Sequence, residues 1–113
     1  MSCIFCRIAS GEIPASVVYE TEEVLAFSDL NPQAPVHVLV IPRRHVESLG
    51  SSSDEDRSLL GNLMLACRET AARCGIADRG YRVVLNTNAD GGQTVPHLHA
   101  HVLGGRAMHW PPG

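Results

Sequence analysis

Apolar positions along the chain fall into two periods. Up to residue 42 they come in short β-branched runs: "VVY" at 17–19, "VLAF" at 24–27 and "VHVLVIP" at 36–42. Only "ETEE" separates the first two runs, a spacing that predicts a β-hairpin. "NPQAP" is a turn-rich break, and Pro42 stops the third run. From Ser53 the period lengthens. Leu59, Leu60, Leu63, Met64, Cys67, Ala71 and Cys74 recur at helical spacing and predict one apolar face running up to Gly75. Ser53 is a candidate N-cap, with Asp54, Glu55 and Asp56 near the positive end of the helix. "YRVVLNT" is strand-like again, "NADGG" reads as a loop, "PHLHAHVLGG" as the last strand and "RAMHWPPG" as an irregular tail. Strands, one long helix, then strands argue for an α+β fold with a largely antiparallel sheet. No repeat or linker divides the 113 residues, a length that suits one domain over 1–113.

The last run carries the chemistry. Three of the chain's six histidines, His97, His99 and His101, alternate with Leu98 and Ala100. On a strand the imidazoles share one face, while Leu98, Ala100 and Val102 share the other and can pack on a core. An amphipathic strand needs polar residues on its solvent side, but Thr, Lys or Glu would serve there. Two chemical uses remain. An H-x-H pair can hold a catalytic zinc if a third ligand comes from elsewhere, although the outer two histidines, about 13 Å apart at roughly 3.3 Å per residue, cannot share one ion comfortably. Alternatively one imidazole is a nucleophile and its neighbours manage charge and protons near neutral pH. The adjacent "NADGGQT" favours the second use: Gly91 and Gly92 permit close backbone approach and Thr94 adds a hydroxyl, so the turn is a candidate phosphate cradle as well as a candidate hairpin turn.

Charge narrows the partners. Nine basic against twelve acidic residues give a net charge of −3, and no Lys/Arg run forms a footprint for nucleic acid or an anionic membrane. A bound phosphate would therefore rely on backbone N–H groups and histidines. "MSCIFCRIASGEIP" has no basic segment leading a long apolar one, and "VHVLVIP" is far shorter than the roughly 20 residues of a membrane helix, so a cytoplasmic location is expected. In that compartment four cysteines are thiols or metal ligands rather than a disulfide framework. Cys67 and Cys74 fit small core positions on the helix. Cys3-x-x-Cys6 could be a redox pair or half a zinc site, but no strand precedes it as a thioredoxin-like motif requires. Zinc would need two more ligands, for which His45 and His97 are candidates.

"HLHAHVL" fits the pattern H-φ-H-φ-H-φ-φ and resembles the signature of the histidine triad (HIT) family. The likeness extends through "IFCRIASGEIPA", "VLAFSDLNPQAPVHVLVIPRRH", "GYRVVLNTNADGGQTVPHLHAHVLGG" and "MHWPPG", and it points to the Hint branch. It implies a five-stranded, mainly antiparallel sheet, one long central helix and a short N-terminal helix, in a homodimer whose sheets join. The implied activity is that of a purine nucleoside phosphoramidase, which hydrolyses adenosine 5′-phosphoramidates and related AMP-amine or acyl-AMP compounds to AMP without a catalytic metal. AMP, GMP and their phosphoramidate esters are the implied ligands. By position, His99 matches the family's nucleophile and His101 the histidine that contacts phosphate. Thr94 matches a hydroxyl beside the leaving group, a place often held by Ser. Asn86, Gly92, Gln93 and Thr94 match the surroundings of phosphate and sugar, and Asp29 and Leu30 match the ribose-contacting pair. His37 matches a histidine that supports the triad, and Trp110 a tail tryptophan set near the partner subunit's site. Bacterial relatives also suggest a structural zinc on Cys3, Cys6, His45 and His97, where mammalian-type Hint proteins lack the cysteines. The alternatives are a nucleotide-binding interaction protein with vestigial hydrolysis, or a dinucleoside polyphosphate hydrolase as in the Fhit branch, against which the "HWPPG" ending argues.

Overall fold

The β-branched runs become strands and the helical-period stretch becomes a helix. The computed structural model describes residues 3–113. Its elements are α1 (Ile4–Ala9), β1 (Val17–Glu20), β2 (Val24–Ser28), β3 (Val36–Pro42), α2 (Arg57–Arg73), β4 (Tyr81–Leu85), α3 (Asn88–Gly91) and β5 (Ala100–Gly104). The five strands form one sheet in the order β1-β2-β3-β5-β4, and every neighbouring pair is antiparallel. The expected hairpin is β1–β2, and β5 enters the sheet centre between β3 and β4. The expected short N-terminal helix is α1. This is the antiparallel α+β fold that the sequence predicts.

α2 begins as expected. The Ser53 side chain accepts from the Glu55 N–H, and the Ser53 N–H donates to Asp56 Oδ2 at 2.9 Å, closing a capping box around a 3₁₀ turn, Asp54–Asp56. Leu59, Leu63, Ala66, Cys67, Thr70 and Ala71 are buried against the sheet. Cys67 is a core residue as expected, and Cys74 packs against that core half-buried. Met64 departs from the expected face. It is 42% exposed, because it sits at the margin of the stripe and the nearer positions are taken by Ala66 and Thr70.

The central strands β2 and β3 are buried on both faces. Val24, Ala26, Val38, Val40, Ala100 and Val102 pack with α2, while Leu25, Phe27, Leu39 and Ile41 pack with Phe5 of α1. This explains why β2 and β3 read as nearly continuous apolar runs instead of alternating ones. Gly104 closes the far end of β5, where a Cβ would stand 2.6 Å from Ile76 Cδ1, so any side chain there would force Ile76 to shift.

Two further expectations change. "NADGG" contains the short helix α3, which Gly92 ends at φ +79° in the left-handed conformation. The strand carrying the triad starts only at Ala100, so His97 and His99 lie on a lead-in that bends at 95–97, and His101 alone is within β5. Alternation survives nonetheless, since Leu98 joins Ala100 and Val102 in the α2-side core. The lead-in is held by its own bonds, from the His97 N–H to the Val95 carbonyl and from the Leu98 N–H to the Val46 carbonyl.

Candidate active site

The imidazoles stand on the α1 side of the sheet, and their protons follow from their partners. His99 Nδ1 is 2.7 Å from the His97 carbonyl oxygen. A carbonyl can only accept, so Nδ1 carries the proton and Nε2 keeps a lone pair. The neighbouring ring has the opposite polarity. The Gln33 N–H donates to His37 Nδ1 at 3.0 Å, which places the His37 proton on Nε2. That Nε2–H lies 2.9 Å from His101 Nδ1, making His101 Nδ1 the acceptor and His101 Nε2 the protonated nitrogen. Asp29 Oδ2 is 3.3 Å from the same His37 Nε2 and faces the relay. His99 thus keeps a bare nitrogen and His101 an N–H donor, on rings whose centroids are 5.0 Å apart.

Burial keeps this relay neutral. It pushes His101 down to about 4, reinforced by His99 and His37 and opposed by Asp29. Burial also lowers His37, again against Asp29. Neutral imidazoles are the state in which the donor–acceptor order above holds.

His99 and His101 line a cleft of about 320 Å³. Its apolar wall comes from Ile4, Phe5 and Ile8 of α1, with Ile13 and Phe27, while Asp29 and Leu30 stand at one side and Thr94 at the mouth. Asp29 also caps its own turn, accepting from the Asn31 N–H through Oδ1 at 2.8 Å. Leu30 is not a core leucine: it is 100% exposed, at the cleft rim. The structure thus brings together Asp29, Leu30, Thr94, His99 and His101, with His37 directly behind His101.

Asn86, Gly92, Gln93 and Trp110 do not line this cleft. The N–H groups of Gly92 and Gln93 donate to the carbonyls of Ala89 and Asn88, so in this structure neither is free to cradle a phosphate. The Gln93 side chain accepts from the Asn88 N–H and donates to the carbonyls of Glu47 and Val95, bracing the loop. Trp110 is 82% exposed on the tail. Sequence reasoning overlooked the apolar wall, although Ile4, Phe5 and Ile8 are spaced as one helical face in "IFCRI".

A second cluster adjoins the first. Nitrogen and sulfur atoms of Cys3, Cys6, His45 and His97 all lie within 4.8 Å of one another. Cys3 Sγ and Cys6 Sγ are 3.3 and 3.6 Å from His97 Nδ1, Cys6 Sγ is 3.3 Å from His45 Nδ1, and the two Nδ1 atoms are 3.2 Å apart. Tetrahedral zinc, with bonds of about 2.0–2.1 Å to nitrogen and about 2.3 Å to sulfur, sets its ligand atoms about 3.3–3.8 Å apart. The donor set therefore fits zinc in kind, number and spacing. His97 is prepared for it: its Nε2–H donates to the Pro42 carbonyl at 2.9 Å, which leaves Nδ1 bare. Without a cation, burial and the neighbouring Cys3 raise the Cys6 thiol, while burial lowers His97. A bound dication reverses the balance at the thiols.

Residues 10–108 match the HIT domain, and the chain belongs to the HIT family. An uncharacterised HIT-like protein of Synechocystis is 54% identical over 110 residues, covering 97% of this chain and 96% of its own. Among solved structures, a HIT family hydrolase from Legionella pneumophila superposes with a TM-score of 0.96 at 49% identity, covering 99% of this chain and 100% of the other. A histidine triad nucleotide-binding protein from Candida albicans gives a TM-score of 0.81 at 31% identity, over 97% of this chain and 83% of its own.

Proposed function

We propose that the chain is a purine nucleoside phosphoramidase working through a covalent nucleotidyl-histidine at His99. The observation that carries this reading is the opposed polarity of the two triad rings that line the cleft: His99 Nε2 is bare and His101 Nε2 carries the proton. A nucleophile needs the first, and a phosphoryl oxygen gaining charge needs the second. In this reading the base lies on the apolar wall of α1 and the ribose hydroxyls donate to Asp29. His99 Nε2 bonds to the α-phosphorus as the phosphorus–amine bond breaks, and the amine leaves with a proton relayed from water through the Thr94 hydroxyl. The hydroxide left by that water then attacks the same phosphorus as the phosphorus–Nε2 bond breaks, releasing the nucleoside monophosphate and restoring neutral His99. His37 keeps the His101 donor aimed through the relay that starts at the Gln33 N–H.

In the same reading Cys3, Cys6, His45 and His97 hold a structural zinc ion, which supplies a cross-link between α1 and the triad segment and takes no part in the chemistry. The protein acts as a homodimer in the cytoplasm. The full exposure of Leu30 and the exposure of Trp110 on the tail support a second subunit that covers both. Family members named as hydrolases and as nucleotide-binding proteins support the substrate class.

The test offers adenosine 5′-phosphoramidate, a diadenosine polyphosphate and AMP to the purified protein. The reading expects AMP release from the phosphoramidate at a rate well above that from the dinucleotide. AMP binding without turnover of either substrate overturns it in favour of a nucleotide-binding protein. Preference for the dinucleotide overturns it in favour of a polyphosphate hydrolase.

A further inference from the structure

The metal cluster and the nucleophile are joined by two separate contacts. His97 offers Nδ1 to the cluster, and its own carbonyl oxygen is the group that fixes the His99 Nδ1 proton. Phe5 lies in sequence between Cys3 and Cys6 and meets both rings edge-on, with centroids 5.8 Å from His97 and 5.2 Å from His99. Its other side packs on Phe27 at 5.7 Å. Among the described residues the His99 ring makes no hydrogen bond besides the one to His97, so its remaining orientation rests on packing.

We infer that Phe5 is a positioning residue for His99, held in place by the Cys3, Cys6, His45 and His97 centre. This rests on the metal-centre and nucleophile assignments above and adds a mechanical link between them. α1 has only six residues, well below the length at which a helix is stable alone. Anchoring therefore has to come from outside the helix, and two of its first four positions and caps, Cys3 and Cys6, are cluster members. When the centre is closed, Phe5 is pressed against the His99 ring and resists its rotation. When it opens, α1 loosens, the apolar wall of the cleft goes with it, and the His97 segment loses the restraint that holds its carbonyl on His99 Nδ1. The centre thus orients the attacking nitrogen without contacting substrate.

The test reads the His99 ring directly, by long-range nitrogen–proton correlation in protein labelled at histidine, with the His99 signals identified by their loss in His99→Gln. Zinc content and the rate of nucleotidyl transfer at saturating adenosine 5′-phosphoramidate are measured on the same samples. Zinc-loaded wild type is expected to show one Nδ1-protonated tautomer. Zinc-loaded Phe5→Leu, which keeps most of the volume and removes the ring, is expected to retain its zinc yet show averaging of the His99 tautomers. Its saturating rate is expected to fall about 10- to 100-fold, the range that small misplacement of a reacting group produces. A role confined to the base wall would raise KM instead and leave the ring signals unchanged. Depletion with a chelator is expected to average the tautomers too, and if depletion unfolds the chain the Phe5→Leu comparison decides alone. Unchanged His99 signals in zinc-loaded Phe5→Leu overturn the inference. Failure of wild type to bind zinc overturns it together with the metal assignment. Tautomer averaging in a protein that hydrolyses nothing supports the link and overturns only the phosphoramidase reading.

Discussion

His99 Nδ1 donates to the carbonyl oxygen of His97 across 2.7 Å, and this bond decides which nitrogen of His99 faces the cleft. The two residues stand two apart on the segment leading into β5, so the chain uses its own backbone to set the tautomer. That leaves the partner rings free for a different task. His37 and His101 pass a proton order inward from the Gln33 N–H and end with an N–H at the cleft.

The low proton affinity of this relay links pH to stability. His101 is pushed down to about 4 from an ordinary 6.5, and His37 is lowered as well. Between those pH values the unfolded chain binds protons that the folded one refuses, so stability is fully present above 6.5 and declines as pH falls toward 4. Melting temperature is expected to drop over that window, and His101→Gln is expected to flatten the drop relative to wild type. Equal slopes in the two proteins would contradict the burial account of His101.

Asp29 caps its own turn and, in the proposed reading, also accepts from the ribose hydroxyls; one substitution separates the two roles. Asp29→Asn keeps an oxygen to accept from the Asn31 N–H but loses the charge. KM for adenosine 5′-phosphoramidate is expected to rise about tenfold or more, the effect of weakening hydrogen bonds to a charged acceptor. The 2′,3′-dideoxy substrate is expected to lose far less. Equal losses for both would remove ribose from the role of Asp29.

Cys6→Ser tests the cross-link. Wild type is expected to carry one equivalent of zinc per chain, and the variant to lose the metal and melt at a lower temperature. Structural zinc contributes directly to folding free energy, so the shift is expected to be several degrees or more. Absence of zinc from metal-supplemented wild type, with unchanged melting of the variant, would remove the site.

Thr70 offers a test of packing far from the chemistry. Its Oγ1 is buried on α2 and has no hydrogen-bond partner among the described residues. Thr70→Val keeps the shape and removes an unsatisfied hydroxyl, so unfolding free energy is expected to rise by about 1 kcal/mol. A loss of stability in chemical denaturation would show that the hydroxyl has a role.

Much of this was legible because local chemistry and tertiary demand agree. "ETEE" between two β-branched runs makes a hairpin in any context, and Ser53 with three acids starts a helix wherever an apolar stripe follows. α3 escaped because four residues, the last of them a glycine, show no period. The exposure of Met64 escaped because a helical stripe has a soft margin that only packing resolves. Alternation showed that the three histidines share a face, but not that His97 turns to the cysteines while His99 and His101 turn to the cleft. His45 and His97 were candidates to join Cys3 and Cys6, and the family likeness supported that choice, since the two stand 52 residues apart and spacing says nothing of their meeting. The tautomers lay beyond any sequence, because they depend on carbonyl and N–H groups that every residue possesses.

The central claim is that His99 Nε2 attacks phosphorus. The most direct measurement is the intact mass of the protein, quenched in acid-free denaturant during turnover of adenosine 5′-phosphoramidate, followed by peptide mapping. The account predicts an adenylyl adduct on the peptide containing His99, absent from His99→Ala, which also fails to release AMP. An adduct elsewhere, or AMP release by His99→Ala at the wild-type rate, would contradict it.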